Sequence, residues 1–363
     1  MGKTIHIDAG ALDDEFEERG WSDGLPVVAP TAARVDAMLA YTDRHRDDEF
    51  GTMPPRGGIV SLEILAVNAV MAGCRPEYFP VVVTAVEALL DPEFNLFAVQ
   101  ATTHPCAPCV IVNGPVAREL GINARYGAFG PGVRANATIG RAVRLILFNV
   151  GGAAPGILDR STQGQPAKYA YCVAENEAES PWEPLHVERG YAAADSTVTV
   201  TAADGPHNLN DHVSSDADGI LATIVGALGD MGSNNAYLYG QPTIAFGPEH
   251  AAILAASNLG KNDIRRHVFD HARVPRELWA RGGMAGMVED LFPHDESLPI
   301  IKAPEDLLII VLGGFGRHSC WLPTFGDTTR AVTRAITRVD GEPVRSVGEL
   351  RVADDRASSP TAC

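Results

Sequence analysis

The sequence predicts an α/β fold, and it leaves open two related α/β halves with the site between them. The 363-residue chain is 45% hydrophobic and 21% charged, an ordinary globular composition with enough length for one large or two mid-sized cores. Apolar runs at Val110–Val112 and Leu307–Leu312 are typical of buried strands, and they alternate with segments of helical pattern. A strand, a Gly-Pro pair and a helix follow one another twice, a pattern that arises either by chance or from two similar halves.

The first part of the chain predicts three helices and a strand. Thr31 is a suitable N-cap for a helix from Ala32 to about Tyr41, and Ser61 for a helix from Ser61 to Ala72. Pro80 opens a helix through Leu90, because proline is tolerated in a first turn. Leu96–Ala101 is expected to be a buried strand that leads into the next loop.

The later elements follow the same signals. An apolar helix ending near Val150 follows a glycine-rich stretch, and Val198–Thr201 is expected to be a strand. Asp216 is a suitable cap for a helix through Leu228.

The repeated Gly-Pro pattern suggests a division of the chain. It occurs at Asn113-Gly114-Pro115 and again at Phe246-Gly247-Pro248. We therefore expect an N-terminal arm over 1–30, a first half over 31–190 and a second half over 191–348. Residues 349–363 are polar and are expected to form a disordered tail.

Net charge and hydropathy limit the classes of partner that we expect. A formal charge of -17 and a pI of about 5.0 repel phosphate backbones, which argues against nucleic-acid binding. No apolar run reaches the ~18–20 residues of a membrane span, and the N-terminus lacks an apolar stretch of signal-peptide length. We expect a cytoplasmic protein without membrane contact, and a homo-oligomer stays open.

Two loops carry cysteine and histidine. His104, Cys106 and Cys109 lie in Thr-Thr-His-Pro-Cys-Ala-Pro-Cys, and His318 and Cys320 follow three glycines in the second loop. Six cysteines in a chain of this length are not a disulfide framework, so the Cys-x-x-Cys pair indicates redox or metal chemistry. The alternative is that these cysteines are small buried hydrophobic residues.

The metal interpretation uses the same side chains. A closed zinc site needs about four ligands, so His104, His318 or Cys320 would have to complete the set that Cys106 and Cys109 begin. Zinc, iron and copper are the expected metals. The two loops form one site only if the fold brings them to the same end of the sheet.

The glycine-rich stretch Gly127–Arg141 suits an anion. Its exposed backbone N–H groups, the helix that follows and the charge of Arg134 would hold a carboxylate or phosphate near Asn136. It lacks the Gly-Lys-Ser/Thr ending of a Walker A loop. The alternative is a plain glycine-rich connection; if the stretch binds an anion, a small anionic substrate is the expected partner.

Four segments together resemble a known family. They are Gly20–Thr31, Asn113–Pro115, Gly130–Arg141 and Arg317–Cys320, and they are similar to a largely uncharacterised bacterial family related to UGSC proteins, named for a selenocysteine-Gly-Ser-Cys motif. Only the Ser319-Cys320 end matches that motif.

Two positions depart from the family motif. His318 stands in place of its glycine and Arg317 in place of its selenocysteine.

Asn113, Trp21 and Asp23 lie in the resembling segments and are expected to contribute to substrate binding.

Three functions remain open from the sequence. The first is a thiol-centred enzyme that performs sulfur or redox chemistry, with Cys106, Cys109, Cys320, His104 and His318 as the catalytic set. The second is a metal-dependent lyase, hydrolase or oxidoreductase that uses the same ligands. The third is a non-catalytic binding or assembly subunit.

Overall fold

The computed structural model describes residues 5–281 and 289–351. The helices within these ranges are α1 Leu12–Glu18, α2 Ala32–Leu39, α3 Leu62–Met71, α4 Phe79–Leu89, α5 Leu96–Ala101, α6 Pro115–Glu119, α7 Arg134–Asn149, α8 Leu185–Glu188, α9 Ala217–Leu228, α10 Asn235–Leu238, α11 Pro248–Ala256, α12 Lys261–His271 and α13 Arg276–Arg281. The strands are β1 Glu49–Met53, β2 Gly58–Ser61, β3 Ala107–Asn113, β4 Cys172–Ala174, β5 Thr197–Ala203, β6 His207–Asn210, β7 Thr243–Phe246, β8 Arg273–Pro275, β9 Ser297–Pro299, β10 Leu308–Val311, β11 His318–Leu322 and β12 Val332–Ala335.

Several predicted elements form where their end signals place them. The Ser61 hydroxyl accepts a hydrogen bond from the Ile64 backbone at 3.4 Å as α3 begins, and the Asp216 carboxylate accepts one from Gly219 at 3.0 Å as α9 begins. Helix α2 also begins where expected, but the Thr31 side chain makes no cap hydrogen bond.

The strand predicted at Leu96–Ala101 is wrong, because this segment is helix α5. Leu96, Val99 and Gln100 are buried while Phe97 is 59% exposed, which is helical spacing rather than alternation. Asn95 takes up a left-handed conformation (φ 52°) between a preceding 3-10 turn and α5. The first cysteine loop therefore joins a helix to a strand.

The mixed α/β class is confirmed by two sheets of the same design. Among the described residues, one four-stranded sheet has the order β12-β5-β3-β4 and the other has the order β10-β7-β11-β6. In each, one parallel pair (β3 with β4, β7 with β10) is extended by two antiparallel strands. The sheet with β3 is called the first sheet and the sheet with β7 the second sheet.

The two sheets exchange their last strands. β6 follows β5 along the chain but pairs with β11 in the second sheet, whereas β12 follows β11 and pairs with β5 in the first sheet. The two crossing connections meet at an antiparallel bridge between Ala203 and Thr324. The expected boundary at residue 190 therefore does not separate the two sheets, because β5 and β12 follow it in the chain but belong to the first sheet.

The sheets pack face to face with helices outside them. One apolar cluster, which holds Ile111, Ala245 and Ile310, lies between the sheets, and two others join each sheet to its helices. We call the first of these the intersheet core. Because apolar side chains fill it, the predicted site between two halves is not an open cleft there.

Both Gly-Pro turns are packed in the same way. A Cβ built on Gly114 would lie 2.2 Å from the Asp195 carbonyl oxygen, and one built on Gly247 would lie 2.1 Å from the His318 carbonyl oxygen. Glycine is needed at both positions because a backbone carbonyl occupies the space of a side chain. The two halves are thus alike both in the order of their strands and in this close backbone contact. That they arose by duplication stays a prediction.

The predicted disordered tail at 349–363 is wrong for residues 349 and 350, which are ordered. A 3-10 helix spans Val347–Leu350, and its Val347 and Leu350 side chains are buried. Positions 352–363, including Cys363, lie outside the described residues.

Candidate functional site

The two cysteine-bearing loops lie at opposite ends of the sheets. The loop Thr102–Cys106 precedes β3, whereas the loop Gly313–Arg317 follows β10. The Asn176 backbone, just after β4, donates to the Val311 carbonyl at 2.8 Å, so the carboxyl ends of both parallel pairs are at one end. We call that end the carboxyl rim and the other the amino rim. Seven residues of β3 separate them by roughly 20 Å at ~3.3 Å per residue.

The thiols of the predicted pair face opposite sides of the first sheet. Cys106 is buried in the core beneath the helices, whereas Cys109 is buried in the intersheet core. Side chains three apart along an extended segment point to opposite faces, which explains the separation. Cys320 packs against the intersheet core near Cys109, and these three thiols are free. The fold thus groups Cys109 with Cys320 and leaves Cys106 in a different environment.

Burial keeps these thiols protonated. It raises the pKa of Cys106 to about 12, although the Lys168 ammonium acts to lower it. It also raises the pKa of Cys320 to about 12 and that of Cys109 well above its ordinary value, to which neighbouring Cys172 and Cys320 add. A protonated thiol is a poor nucleophile and a poor metal ligand.

A small, partly open space borders Cys106 at the amino rim. Its volume is about 20 Å³, enough for one water molecule. It is lined by Val99, Gln100, Cys106, Ala107, Pro108, Gly140, Val143, Arg144, Leu147, Asp159, Ala167, Lys168 and Tyr171. The Oε1 atom of Gln100 is buried and has no hydrogen-bond partner within the described chain. A thiol, three charged groups and an unpaired acceptor therefore surround one cavity.

The charged groups around this cavity form one network. The Asp159 carboxylate accepts hydrogen bonds from Lys168 Nζ at 2.8 Å, Ser161 Oγ at 2.6 Å and Arg144 Nη2 at 3.4 Å. Burial acts to raise the pKa of Asp159, but hydrogen bonds from Lys168 and Ser161 outweigh it and hold that pKa below its ordinary value. The network holds two cations and one anion, and Asp204 nearby adds a second carboxylate that acts with Asp159 to raise the pKa of Cys106.

His104 lies at the same rim against an acid. Its Nε2 is 3.2 Å from Asp204 Oδ1, and its ring packs 5.8 Å from that of Phe325. The Tyr171 hydroxyl donates to the Asp204 carbonyl at 2.9 Å and fixes that segment. The other ring nitrogen, Nδ1, is buried without a partner in the described residues. An acid therefore lies beside the His104 ring, but Asp204 Oδ1 makes no hydrogen bond within the described residues.

The predicted metal ligands do not assemble. Across residues 5–281 and 289–351, no group of three or more His, Cys, Asp or Glu side chains is placed to hold a metal ion. His104 and Cys106 are at the amino rim, and Cys109 and Cys320 are within the intersheet core.

The predicted anion-binding residues are engaged by the protein itself. The Arg134 guanidinium donates twice to the Gly73 carbonyl, at 3.0 and 2.8 Å, just beyond the end of α3. Asn136 accepts from the Asn123 backbone at 2.7 Å and donates to the Asn123 and Cys172 carbonyls, both at 3.0 Å. These contacts anchor the glycine-rich stretch and leave little capacity for a ligand.

Trp21 and Asp23 hold the N-terminal arm. Asp23 forms a two-point ion pair with Arg141 of α7, at 2.9 and 2.8 Å. The Trp21 ring meets Phe16 edge-on with centroids 5.5 Å apart. Arg144, which lines the cavity, follows Arg141 by one helical turn, so the arm lies close to the cavity wall.

Asn113 belongs to a buried acidic group at the carboxyl rim. Its amide donates to Glu175 at 2.6 Å and to Glu177 at 3.1 Å. Burial raises the pKa of Glu175 to about 7, against the opposing effects of Lys261 and hydrogen bonds from Leu185 and Asn113. One Glu175 oxygen is buried and unpaired within the described chain.

His318 is at the same rim but does not contact the thiols through its ring nitrogens. Its Nδ1 is 3.0 Å from Asn208 Oδ1, and its Nε2 is 3.0 Å from His212 Nε2. Beneath it, His250 Nδ1 is 2.8 Å from Ser319 Oγ and its Nε2 is 3.0 Å from a backbone carbonyl. His250 is only 2% exposed, and its ring completes this buried chain of hydrogen bonds.

Sequence reasoning missed the residues that surround Cys106. Lys168, Asp159 and Asp204 lie far from the cysteine loop along the chain and match no motif. A weak signal was available in Arg144, a charged residue beside apolar neighbours near the end of α7.

Within the described residues, no helix is both long and apolar enough to cross a membrane. Comparison with models of known protein families and with curated protein sequences finds no match to this chain.

Proposed function

We propose that this protein is a thiol-dependent enzyme whose site is at the amino rim, with Cys106 as the nucleophile. The observation that carries this proposal is the grouping of Cys106, Lys168, Arg144 and Asp159 around one cavity, with His104 in the same loop. Cys109 and Cys320, which the sequence also suggested, become structural residues of the intersheet core. The kinship with UGSC-type proteins remains part of this proposal.

Each neighbour of Cys106 has a role in the proposed chemistry. The Lys168 ammonium favours the thiolate over the thiol and thereby opposes the effect of burial. His104, which lies beside Asp204, would receive the thiol proton and return it to the leaving group. The Lys168 and Arg144 side chains, which both line the cavity, would bind the anionic group of a small substrate.

The cavity defines how a substrate would reach the thiol. A volume of about 20 Å³ admits a water molecule but not an organic substrate. Asp159 and Lys168 belong to the surface loop over 153–168, where Ile157 is 67% exposed. We therefore propose that the exposed segment around Ile157 moves aside when substrate binds while Lys168 keeps its place beside Cys106, which would also hydrate Cys106 and lower its pKa.

Turnover assays with paired cysteine variants test this proposal. Small thioesters, activated esters and disulfides that carry a carboxylate or phosphate would be screened with the parent protein, Cys106→Ser and Cys172→Ser. Cys172 is equally buried but does not line the cavity, so it is the matched control. We expect Cys172→Ser to retain activity and Cys106→Ser to lose at least about a hundredfold.

A second variant separates the loss of the catalytic thiol from a loss of folding. Lys168→Gln should lower turnover and shift the pH profile to higher pH, because the thiolate loses its neighbouring cation. If Cys106→Ser retained parental activity on every substrate that the parent converts, the thiol mechanism would be refuted. Tight binding of an anion by the parent without any turnover would favour a binding subunit instead.

A further inference from the structure

The exposed histidine pair at the carboxyl rim has the geometry of a two-ligand metal site. His212 and His318 are both exposed, and their Nε2 atoms are 3.0 Å apart. We propose that these two side chains bind a divalent transition-metal cation of the Cu²⁺ and Ni²⁺ class. The proposal is independent of the Cys106 site, which is at the opposite rim.

The distance between the nitrogens fits adjacent positions around one metal. With metal–nitrogen bonds of about 2.0–2.1 Å, nitrogens 3.0 Å apart subtend about 91–97° at the metal. That angle is the cis arrangement of square-planar or octahedral coordination, which Cu²⁺ and Ni²⁺ prefer. A tetrahedral zinc site would need the nitrogens about 0.3 Å further apart.

The orientation of the rings also favours convergence on one point. Their centroids are 4.8 Å apart and their planes are inclined at 78°. A straight N–H···N hydrogen bond of this length would separate the centroids by about 5.3 Å, whereas a shared metal in the cis arrangement would separate them by about 4.7 Å. The observed separation is closer to the second value.

A neighbouring amide sets the tautomer that metal binding needs. Asn208 Oδ1 is 3.0 Å from His318 Nδ1 and can only accept, so it places the ring proton on Nδ1. The lone pair of Nε2 then faces His212. Histidine ligands in metal sites are commonly oriented by such an acceptor on the other nitrogen.

The backbone around His212 is held before any metal binds. The Asp211 carboxylate accepts from the Val213 and Ser214 backbones at 3.0 and 2.9 Å, and its carbonyl accepts from His250 at 3.0 Å. These contacts reduce the ordering cost of chelation. The net charge of -17 attracts cations, and the remaining coordination positions face solvent, where a small ligand could complete the shell.

A second histidine pair has to be removed from the test. His267 and His271 are one turn apart on α12, with ring centroids 4.4 Å apart, and such a pair could also chelate a metal. All measurements therefore use tag-free, chelator-treated protein that carries His271→Gln. Titration with Cu²⁺ by calorimetry and by electron paramagnetic resonance then reports the stoichiometry and the number of coordinating nitrogens.

We expect this background protein to bind one equivalent of Cu²⁺ with a two-nitrogen hyperfine pattern. Adding His212→Gln or His318→Gln should abolish that pattern, while both exposed positions leave thermal unfolding unchanged. Asn208→Ala should weaken binding about 10–100-fold, and Asn208→Asp, which keeps an acceptor, should restore it. The proposal is overturned if the background protein binds no Cu²⁺, or if either histidine variant keeps the two-nitrogen signal. Equal affinity in Asn208→Ala would refute the orienting role of Asn208.

Discussion

Replacement of Glu175 by glutamine is expected to change the pH dependence of stability. Glu175 is 4% exposed at the carboxyl rim, and burial raises its pKa from 4.5 to about 7. Because the pKa is raised on folding, the folded protein holds this proton more tightly than the unfolded chain does. The resulting stabilisation is fully present below pH 4.5 and is lost as the pH rises through 7.

The magnitude follows from the displacement of the pKa. A rise from 4.5 to about 7 corresponds to about 3 kcal/mol, at roughly 1.4 kcal/mol per pH unit. Glutamine cannot ionise, and its carbonyl oxygen can still accept the hydrogen bonds that Leu185 and Asn113 donate to one Glu175 oxygen. Glu175→Gln should therefore have nearly parental stability at pH 5 and gain up to about 3 kcal/mol over the parent at pH 8.

Urea denaturation of both proteins at pH 5 and pH 8, followed by tryptophan fluorescence, measures this difference. Comparing the variant with the parent at each pH cancels the titration of every other group. A difference between the two proteins that stays constant within about 0.5 kcal/mol from pH 5 to pH 8 would contradict the proposed burial of an ionisable Glu175. A variant that becomes less stable than the parent at pH 8 would contradict it more strongly.

Three further expectations concern packing, reactivity and the loop anchor. Gly114→Ala should destabilise the protein by more than about 3 kcal/mol, because the φ of Gly114 is +87° and an added Cβ would lie 2.2 Å from the Asp195 carbonyl oxygen. The matched control Gly190→Ala has a similar φ of +89° but open space around the added Cβ, so it should cost only about 1 kcal/mol. Equal losses of stability in thermal denaturation would contradict this explanation. Cys106 in the ligand-free protein should be alkylated by iodoacetamide at pH 8 about a thousandfold more slowly than in urea-unfolded protein, since its pKa is about 12 against an ordinary 9.0; comparable rates by peptide mass spectrometry would exclude the protonated state. Asn136→Ala should destabilise by about 2–4 kcal/mol through the loss of several buried hydrogen bonds, and unchanged urea unfolding would show that they are dispensable.

Local sequence signals were sufficient for the elements with clear ends. Ser61 and Asp216 each place a side-chain acceptor at the start of a helix, and the apolar run at Val110–Val112 forms the centre of β3. The six residues of Leu96–Ala101 were misassigned because a short apolar run fits a strand and a helix equally well. Its position beneath the first sheet, rather than its composition, decides in favour of the helix.

The candidate site was predicted only in part. His104 and Cys106 were chosen from their own loop, and they stay in the site because neighbours in a loop remain neighbours in the fold. Lys168 and Asp159 were missed because they match no sequence motif. Only the fold shows that the chain brings both side chains back to the cavity beside Cys106.

The amino-acid sequence by itself determined the α/β class, the positions of those helices and strands that have clear end signals, and the presence of two Gly-Pro turns, because these depend on interactions between residues close together in the chain. The tertiary structure alone decided that the two cysteine loops lie at opposite rims and that Cys106 and Cys109 face different cores. It also decided that the two sheets exchange β6 and β12. Strand order and direction depend on contacts between residues far apart in the chain, and local periodicity carries no information about those contacts.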